Sequence, residues 1–286
     1  MGEPTLTWNL VRDVHELLAY QFMVNALQAG TIVAVMAGVV GWFMVLRRQS
    51  FAGHTIAVMS FPGAAGAALA GVPAAAGYYV ACGVAALAIG RSGGEGQRGR
   101  SRTPRGPSES AAIGVVQVAG LALGFLFLSL YSGVLEQLQA LLFGTFLGID
   151  RGEVLTLLIV AVVVLGALAL VGRPLLLATL DPEVARARGV PVGVLDVGFL
   201  LILGLAVGAT SQLTGALLVF ALLVAPPAAA QTLTPRPGLS LVLSVVFALL
   251  VMWVGLGISY FSIYPLGFFV TTLAFGVYLL AQARRV

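Results

Sequence analysis

The chain has 286 residues, 59% of them hydrophobic and only 9% charged. Soluble domains carry about a quarter charged residues, so polar surface here is too scarce to coat a water-soluble globule. The formal net charge of +4 rests on arginine alone, since no lysine occurs. Those arginines stand at the ends of apolar runs, which marks them as topology signals and not as a nucleic-acid surface.

A bilayer-spanning helix needs about 20 mostly apolar residues. The expectation is therefore an all-α, polytopic membrane protein: an interfacial N-terminal segment over 1–21, then one transmembrane domain over 22–286. Met1 to Tyr20 is too polar and acidic for a cleavable signal peptide, which opens basic and turns apolar within a few residues. Trp8, Leu10, Val11, Val14, Leu17 and Leu18 instead predict a short helix lying against membrane lipid.

The first predicted span is Phe22 to Leu46, closed at the cytoplasmic face by Arg47 and Arg48. A second, Ile56 to Ala70, ends at the outer turn Gly71, Val72 and Pro73, and a third follows from Ala74 to Gly90. Cys82, the sole cysteine, lies inside this run and leaves no disulfide or thiolate cluster. Residues 91–110 (RSGGEGQRGRSRTPRGPSES) cannot nucleate a core and predict a disordered cytoplasmic loop, either a solvated linker or a contact for anionic headgroups.

A fourth span covers Ile113 to Leu130. Tyr131 to Ile149 predicts a short outer or re-entrant helix, too polar at its start to cross alone. The fifth span, Val154 to Val171, returns to Arg173, and a polar cytoplasmic insert is expected over 174–193. The sixth and seventh, Val194 to Ala209 and Leu213 to Ala230, are separated by Thr210, Ser211 and Gln212. The last two, Leu239 to Phe261 and Leu266 to Gln282, flank an outer Ser-Ile-Tyr-Pro turn. This layout puts every arginine except Arg12 and Arg151 on one side and favours nine crossings with the N terminus outside. Eight would follow if the Pro226 region failed to span or the first run entered differently.

The segment Leu180 to Gly193 (LDPEVARARGVPVG) is a miniature helix with its own start and stop signals. Asp181 can cap the free amides, Pro182 fits the first turn, and Gly189 can take the left-handed conformation that ends a helix. About two turns result, exposed at the cytoplasmic face; an ordinary interfacial helix and an element that docks on a partner both fit this description. Pro226 and Pro227 interrupt an apolar run, and a proline inside a helix removes an amide donor and frees a carbonyl. The bend expected there is either a structural kink or, with Ser211 and Gln212, part of a pore lining. Gly63, Gly66, Gly71, Gly204 and Gly208 predict close helix packing.

Four stretches, taken in order, resemble the permease family of zinc, manganese and iron ABC importers. They are VLRRQSFAGHTIAVMSFPGAAGAALAG (Val45 to Gly71), LLFGTFLGIDRGEVL (Leu141 to Leu155), Leu180 to Gly193, and SQLTGALLVFALLVAPPAAAQ (Ser211 to Gln231). Siderophore and vitamin B12 permeases share a similar coupling segment. The resemblance implies a homodimeric pore in a bacterial cell membrane, two cytoplasmic ATP-binding subunits, and an extracellular binding protein, lipoprotein or periplasmic, that delivers the metal. It also implies that Asp181 to Gly189 is the helix docked on the ATPase, with Glu183 and Arg186 as exposed contacts and Ala185 allowing close approach. Many family members carry an Asp and, four residues later, a His where this chain has His54 and Val58. An imidazole at 54 suits borderline divalent metals, and a hydrogen-bonded structural histidine near Arg47 and Arg48 is the alternative.

Other classes fit less well. Proton- or sodium-coupled transporters need ionisable groups near the midplane, and no predicted span carries Asp, Glu, Arg or His there; Glu136 and Asp196 lie towards ends. An intramembrane enzyme needs a nucleophile with a base, or several metal ligands, which two histidines and one cysteine do not supply. Without lysine there is no phosphate-binding loop. The sequence thus predicts a pore subunit with no cofactor and no ATPase site of its own. Permeation of a metal chelate or vitamin B12-like cargo, or ion-coupled secondary transport, are the alternatives.

Overall fold

The computed structural model describes residues 19–96, 107–130, 148–262 and 264–284, and excludes the side chains of 92–113 and 213–218. The interfacial helix expected before residue 19 and most of the outer segment expected over 131–149 lie outside the described residues.

Every described element is helical. In chain order they are α1 (Gln21–Leu46), α2 (Ser50–Leu69), α3 (Ala74–Gly96), α4 (Pro107–Leu130), α5 (Arg151–Leu180), α6 (Pro182–Ala187), α7 (Val192–Leu233), α8 (Pro237–Tyr260) and α9 (Leu266–Ala283). By length and composition, six stretches among the described residues can cross a membrane: α1, Ala74–Arg91, α5, Val192–Gln212, α8 and α9. In hydrocarbon only internally satisfied backbone is tolerated, which is why these apolar runs are helices throughout.

Two expectations need correction. The loop expected over 91–110 is helical at both ends, because α3 continues to Gly96 and α4 starts at Pro107. The insert expected to begin at Pro174 starts later: α5 runs through that proline to Leu180, the lost amide hydrogen bond being tolerated inside an otherwise strong apolar helix. Thr210, Ser211 and Gln212, expected to separate the sixth and seventh runs, are themselves helical, part of the element over 192–233. The Thr210 hydroxyl donates 2.7 Å to the Ala206 carbonyl one turn back, so a residue that reads as a turn former is absorbed by the helix.

Two compact units are distinguishable. The first comprises residues 1–45, 145–162 and 218–286. In it α8 runs antiparallel to α1, joined by polar pairs at three levels. Trp42 Nε1 donates to Ser240 Oγ at 3.0 Å, Ser244 Oγ to the Gly38 carbonyl at 2.7 Å, and Trp253 Nε1 to Thr31 Oγ1 at 3.0 Å. Such interhelical bonds add about 0.6 kcal/mol each in a bilayer and fix register between otherwise smooth apolar faces. Gly255 lets α8 approach Val270 of α9.

The second unit comprises residues 46–144 and 163–217. Here α2 packs on both α3 and α4. Its small residues, Gly63 foremost, bring it to backbone contact with α3. The start of α7 runs antiparallel to α3, with Val197 beside Gly90, Gly204 against the Cys82 carbonyl, and Gly208 against Tyr79. Outward-facing apolar residues are abundant, for example Val115, Val118, Val163 and Leu170, as befits surfaces solvated by lipid tails.

Candidate functional site

The helix α6 is the most sharply specified local structure in the chain. Asp181 Oδ1 accepts hydrogen bonds from the amides of Glu183 at 3.1 Å and Val184 at 3.0 Å, satisfying two of the free donors that every helix start presents. Pro182 occupies the first turn, and Gly189 closes the far end with φ +76°, a conformation that a side chain at this position would strain. Glu183 and Arg186 are exposed. Ala185 is not: it is fully buried, packed with Ala178 of α5 and Val192 of α7 and flanked by Leu177, Val190 and Leu195. The close approach this alanine permits is therefore to its own chain, while Glu183, Val184 and Arg186 face outward.

Beneath that cluster lies Arg47. Its guanidinium forms an ion pair with Asp196 and donates from Nη1 to Thr179 Oγ1 at 2.9 Å and from Nε to Gln49 Oε1 at 3.3 Å. The Phe199 ring lies 5.2 Å below its central carbon. The following Arg48 is exposed and takes φ 56°, a left-handed turn that separates the two arginines and turns only the first inward. Read from sequence, both arginines marked topology; no local pattern tied Arg47 to residues more than 130 positions away.

A second polar feature sits where α3 meets α7. Ser211 Oγ and Gln212 Nε2 are buried with no hydrogen-bond partner among the described residues. The Tyr79 hydroxyl lies against the Gln212 side chain without closing a hydrogen bond of normal geometry. Tyr79 was not among the residues expected to matter, because an aromatic in an apolar run reads as core. Orphaned buried polar atoms are costly and uncommon in native proteins, so three together set this spot apart from the apolar packing around it.

The remaining candidates are spread out. His54 is half-buried in the second turn of α2, and Val58, one turn later, is part of the apolar core. Among the described residues no three His, Cys, Asp or Glu side chains gather where they could hold a metal ion. Pro226 and Pro227 are buried in α7. The Pro227 ring and the Leu223 carbonyl, which that proline leaves without its helical donor, both abut Gly41 of α1. At the opposite end of α1 an open cleft of about 450 Å³ is lined by Gln21, Gln28, Arg151 and Leu155.

Residues 19–285 match the model of the ABC 3 transport family. This chain belongs to that family. Among curated ABC 3-like relatives, the manganese transport system membrane protein MntC of Halalkalibacterium halodurans is 33% identical over 89% of this chain and 83% of its own length. A probable iron transport system membrane protein of Haemophilus influenzae is 30% identical over 77% of each chain. Among solved structures, PsaBC from Streptococcus pneumoniae in complex with Fab superposes with a TM-score of 0.81 and 25% identity, covering 95% of both chains. As an ABC 3 member the chain is a multi-pass membrane protein, and α6 and the Arg47 cluster are parts of a transport permease.

Proposed function

We propose that this chain is the membrane-spanning permease subunit of an ATP-driven importer for a divalent metal, manganese, iron or zinc, in a bacterial plasma membrane. The observation that carries the reading is α6, a capped and outwardly charged helix set between two spans of a chain that has no phosphate-binding loop. A pore with no motor needs a surface on which a motor can push. Glu183 and Arg186 are that surface in this account, and a cytoplasmic ATP-binding subunit is the partner. Two copies of the chain form the pore, and an extracellular binding protein delivers the metal. The relatives named for manganese and iron transport support the cargo class.

Nine crossings fit this role, with the N terminus outside and the C terminus inside. Asp196, near the start of α7, pairs with Arg47, and Gln231, near its end, donates 2.9 Å to the carbonyl of Trp42. Residues 42 and 47 both belong to the inner end of the first span, which supports a topology with both ends of α7 on the cytoplasmic side. A straight helix of 42 residues would instead be about 63 Å long and could not begin and end at one face. The topology proposed here therefore crosses twice within residues 192–233 and turns at the outer side near Ser211 and Gln212.

In the same account Tyr79, Ser211 and Gln212 border the route of the cation, offering neutral oxygen and amide groups to its water shell. His54, nearer the inner end, is a single imidazole that a departing ion can meet. Growth and metal content of a strain deleted for this chain test the proposal. Under manganese, iron and zinc limitation in turn, the account predicts that the cells fall short of one of these metals and that the intact chain restores it. Normal content of all three, with loss of uptake of an organic chelate or corrinoid, would favour the chelate-permease reading instead.

A further inference from the structure

Coupling through α6 meets a mechanical difficulty. A helix of six residues is not stable by itself, and it is joined to its neighbours by two bendable points, Leu180–Asp181 and the Gly189–Pro191 turn. A push on such a knob would be dissipated by local bending unless the chain entering it and the chain leaving it were held together. The apolar cluster of Ala178, Ala185 and Val192 supplies part of that hold, but small aliphatic side chains can slide over one another.

Arg47 supplies a directional hold. Thr179 lies two residues before the Asp181 cap, at the end of α5; Asp196 lies in the first turns of α7, after α6. The same guanidinium binds both. Its planar fork donates to the Thr179 hydroxyl and to the Asp196 carboxylate, its Nε is taken by Gln49, and its face rests on Phe199. The Thr179 hydroxyl passes its own proton to the Leu175 carbonyl at 2.6 Å, so it is oriented to accept from Arg47. With 7% of its side chain exposed, Arg47 is screened from water, and bonds made there are stronger and more directional than surface ion pairs.

We propose that Arg47 is the positioning residue of energy coupling: by clamping Thr179 to Asp196 it makes the end of α5, α6 and the start of α7 move as one body. This rests on the reading of α6 as the ATPase contact. The arginine touches neither the cargo route nor the exposed face of α6. Lysine cannot replace it, since a point-like ammonium does not span acceptors set at fork geometry.

Two measurements on the full-length chain separate this inference from the reading beneath it. The first is hydrogen exchange over residues 177–195 in detergent, which needs no partner. Arg47→Gln, Asp196→Asn and the milder Thr179→Val should each speed exchange in that segment and leave α8 unchanged; Arg47→Lys should fall between wild type and Arg47→Gln. Unchanged exchange in all four variants overturns the clamp whether or not the protein transports metal.

The second is the amount of manganese moved per ATP hydrolysed by vesicles holding the chain with its ATPase subunit and supplied with the metal-delivering binding protein. Arg47→Gln and Thr179→Val should assemble with the ATPase and hydrolyse ATP, yet move at least about fivefold less manganese per ATP, the scale of an ordinary coupling energy. If exchange rises while that ratio stays at the wild-type value, Arg47 is only a structural brace and the coupling role is wrong. If the wild-type complex itself shows no ATP-driven uptake, the importer reading falls, and the exchange result still decides the clamp.

Discussion

Gly63 of α2 and Gly77 of α3 meet backbone to backbone: a Cβ on Gly63 would stand 2.4 Å from the Gly77 carbonyl oxygen, and one on Gly77 would stand 2.2 Å from that of Gly63. Neither obstacle is a flexible side chain, so nothing can give except the spacing of the two helices. In lipid, where helices associate through close packing and not through exclusion of water, such contacts hold a bundle together.

Gly63→Ala and Gly77→Ala should therefore each lower stability by about 1–3 kcal/mol, the usual cost of overpacking. Gly83→Ala, on the same helix but facing open space, should leave it unchanged or slightly raised. Thermal unfolding of the purified protein in detergent reads all three, and equal behaviour of Gly83 and Gly63 variants would refute the close-contact account.

The caps of α6 make a second, local expectation. Asp181→Ala removes the acceptor for the Glu183 and Val184 amides and should cost the helix about 1 kcal/mol. Gly189→Ala puts a Cβ into a left-handed residue and should cost a similar amount, about 1 kcal/mol. Both should appear as faster amide exchange confined to residues 182–188, with global unfolding temperature almost unmoved.

Replacing the exposed pair Glu183 and Arg186 by alanine tests the partner surface. Neither side chain is buried, so folding and membrane insertion should be intact. Uptake driven by ATP should fall about tenfold or more, as expected when charged contacts at the centre of an interface are removed. Co-purification of the ATPase at wild-type yield together with wild-type uptake would show that α6 is an ordinary loop helix.

The orphaned polar atoms separate route from scaffold. Ser211→Ala deletes a hydroxyl with no hydrogen-bond partner among the described residues, and Gln212→Leu deletes an amide whose Nε2 has none, so stability should hold or rise by a few tenths of a kcal/mol up to about 1 kcal/mol. Metal flux should fall in both. A drop in unfolding temperature with unaltered flux would mean that these side chains serve the fold and not the cargo.

How much of this could be read from the sequence depended on the range of the interactions. Asp181, Pro182 and Gly189 declare α6 because capping is decided within a few residues, and the apolar runs declare the spans because the bilayer imposes one length. Pro174 misled, since a proline reads as a break, whereas an otherwise apolar helix can absorb it. The burial of Ala185 and the ties of Arg47 to Thr179 and Asp196 were invisible, because they depend on which helix faces which. His54 and Val58 could be located but not assigned a role from their spacing.

Manganese accumulation by sealed vesicles holding this chain, with and without its ATP-binding subunit, tests the central claim most directly. The account predicts uptake only when the ATPase, ATP and the metal-delivering binding protein are all present, and none under a proton or sodium gradient alone. Accumulation by the chain alone without nucleotide would contradict it and identify a secondary transporter.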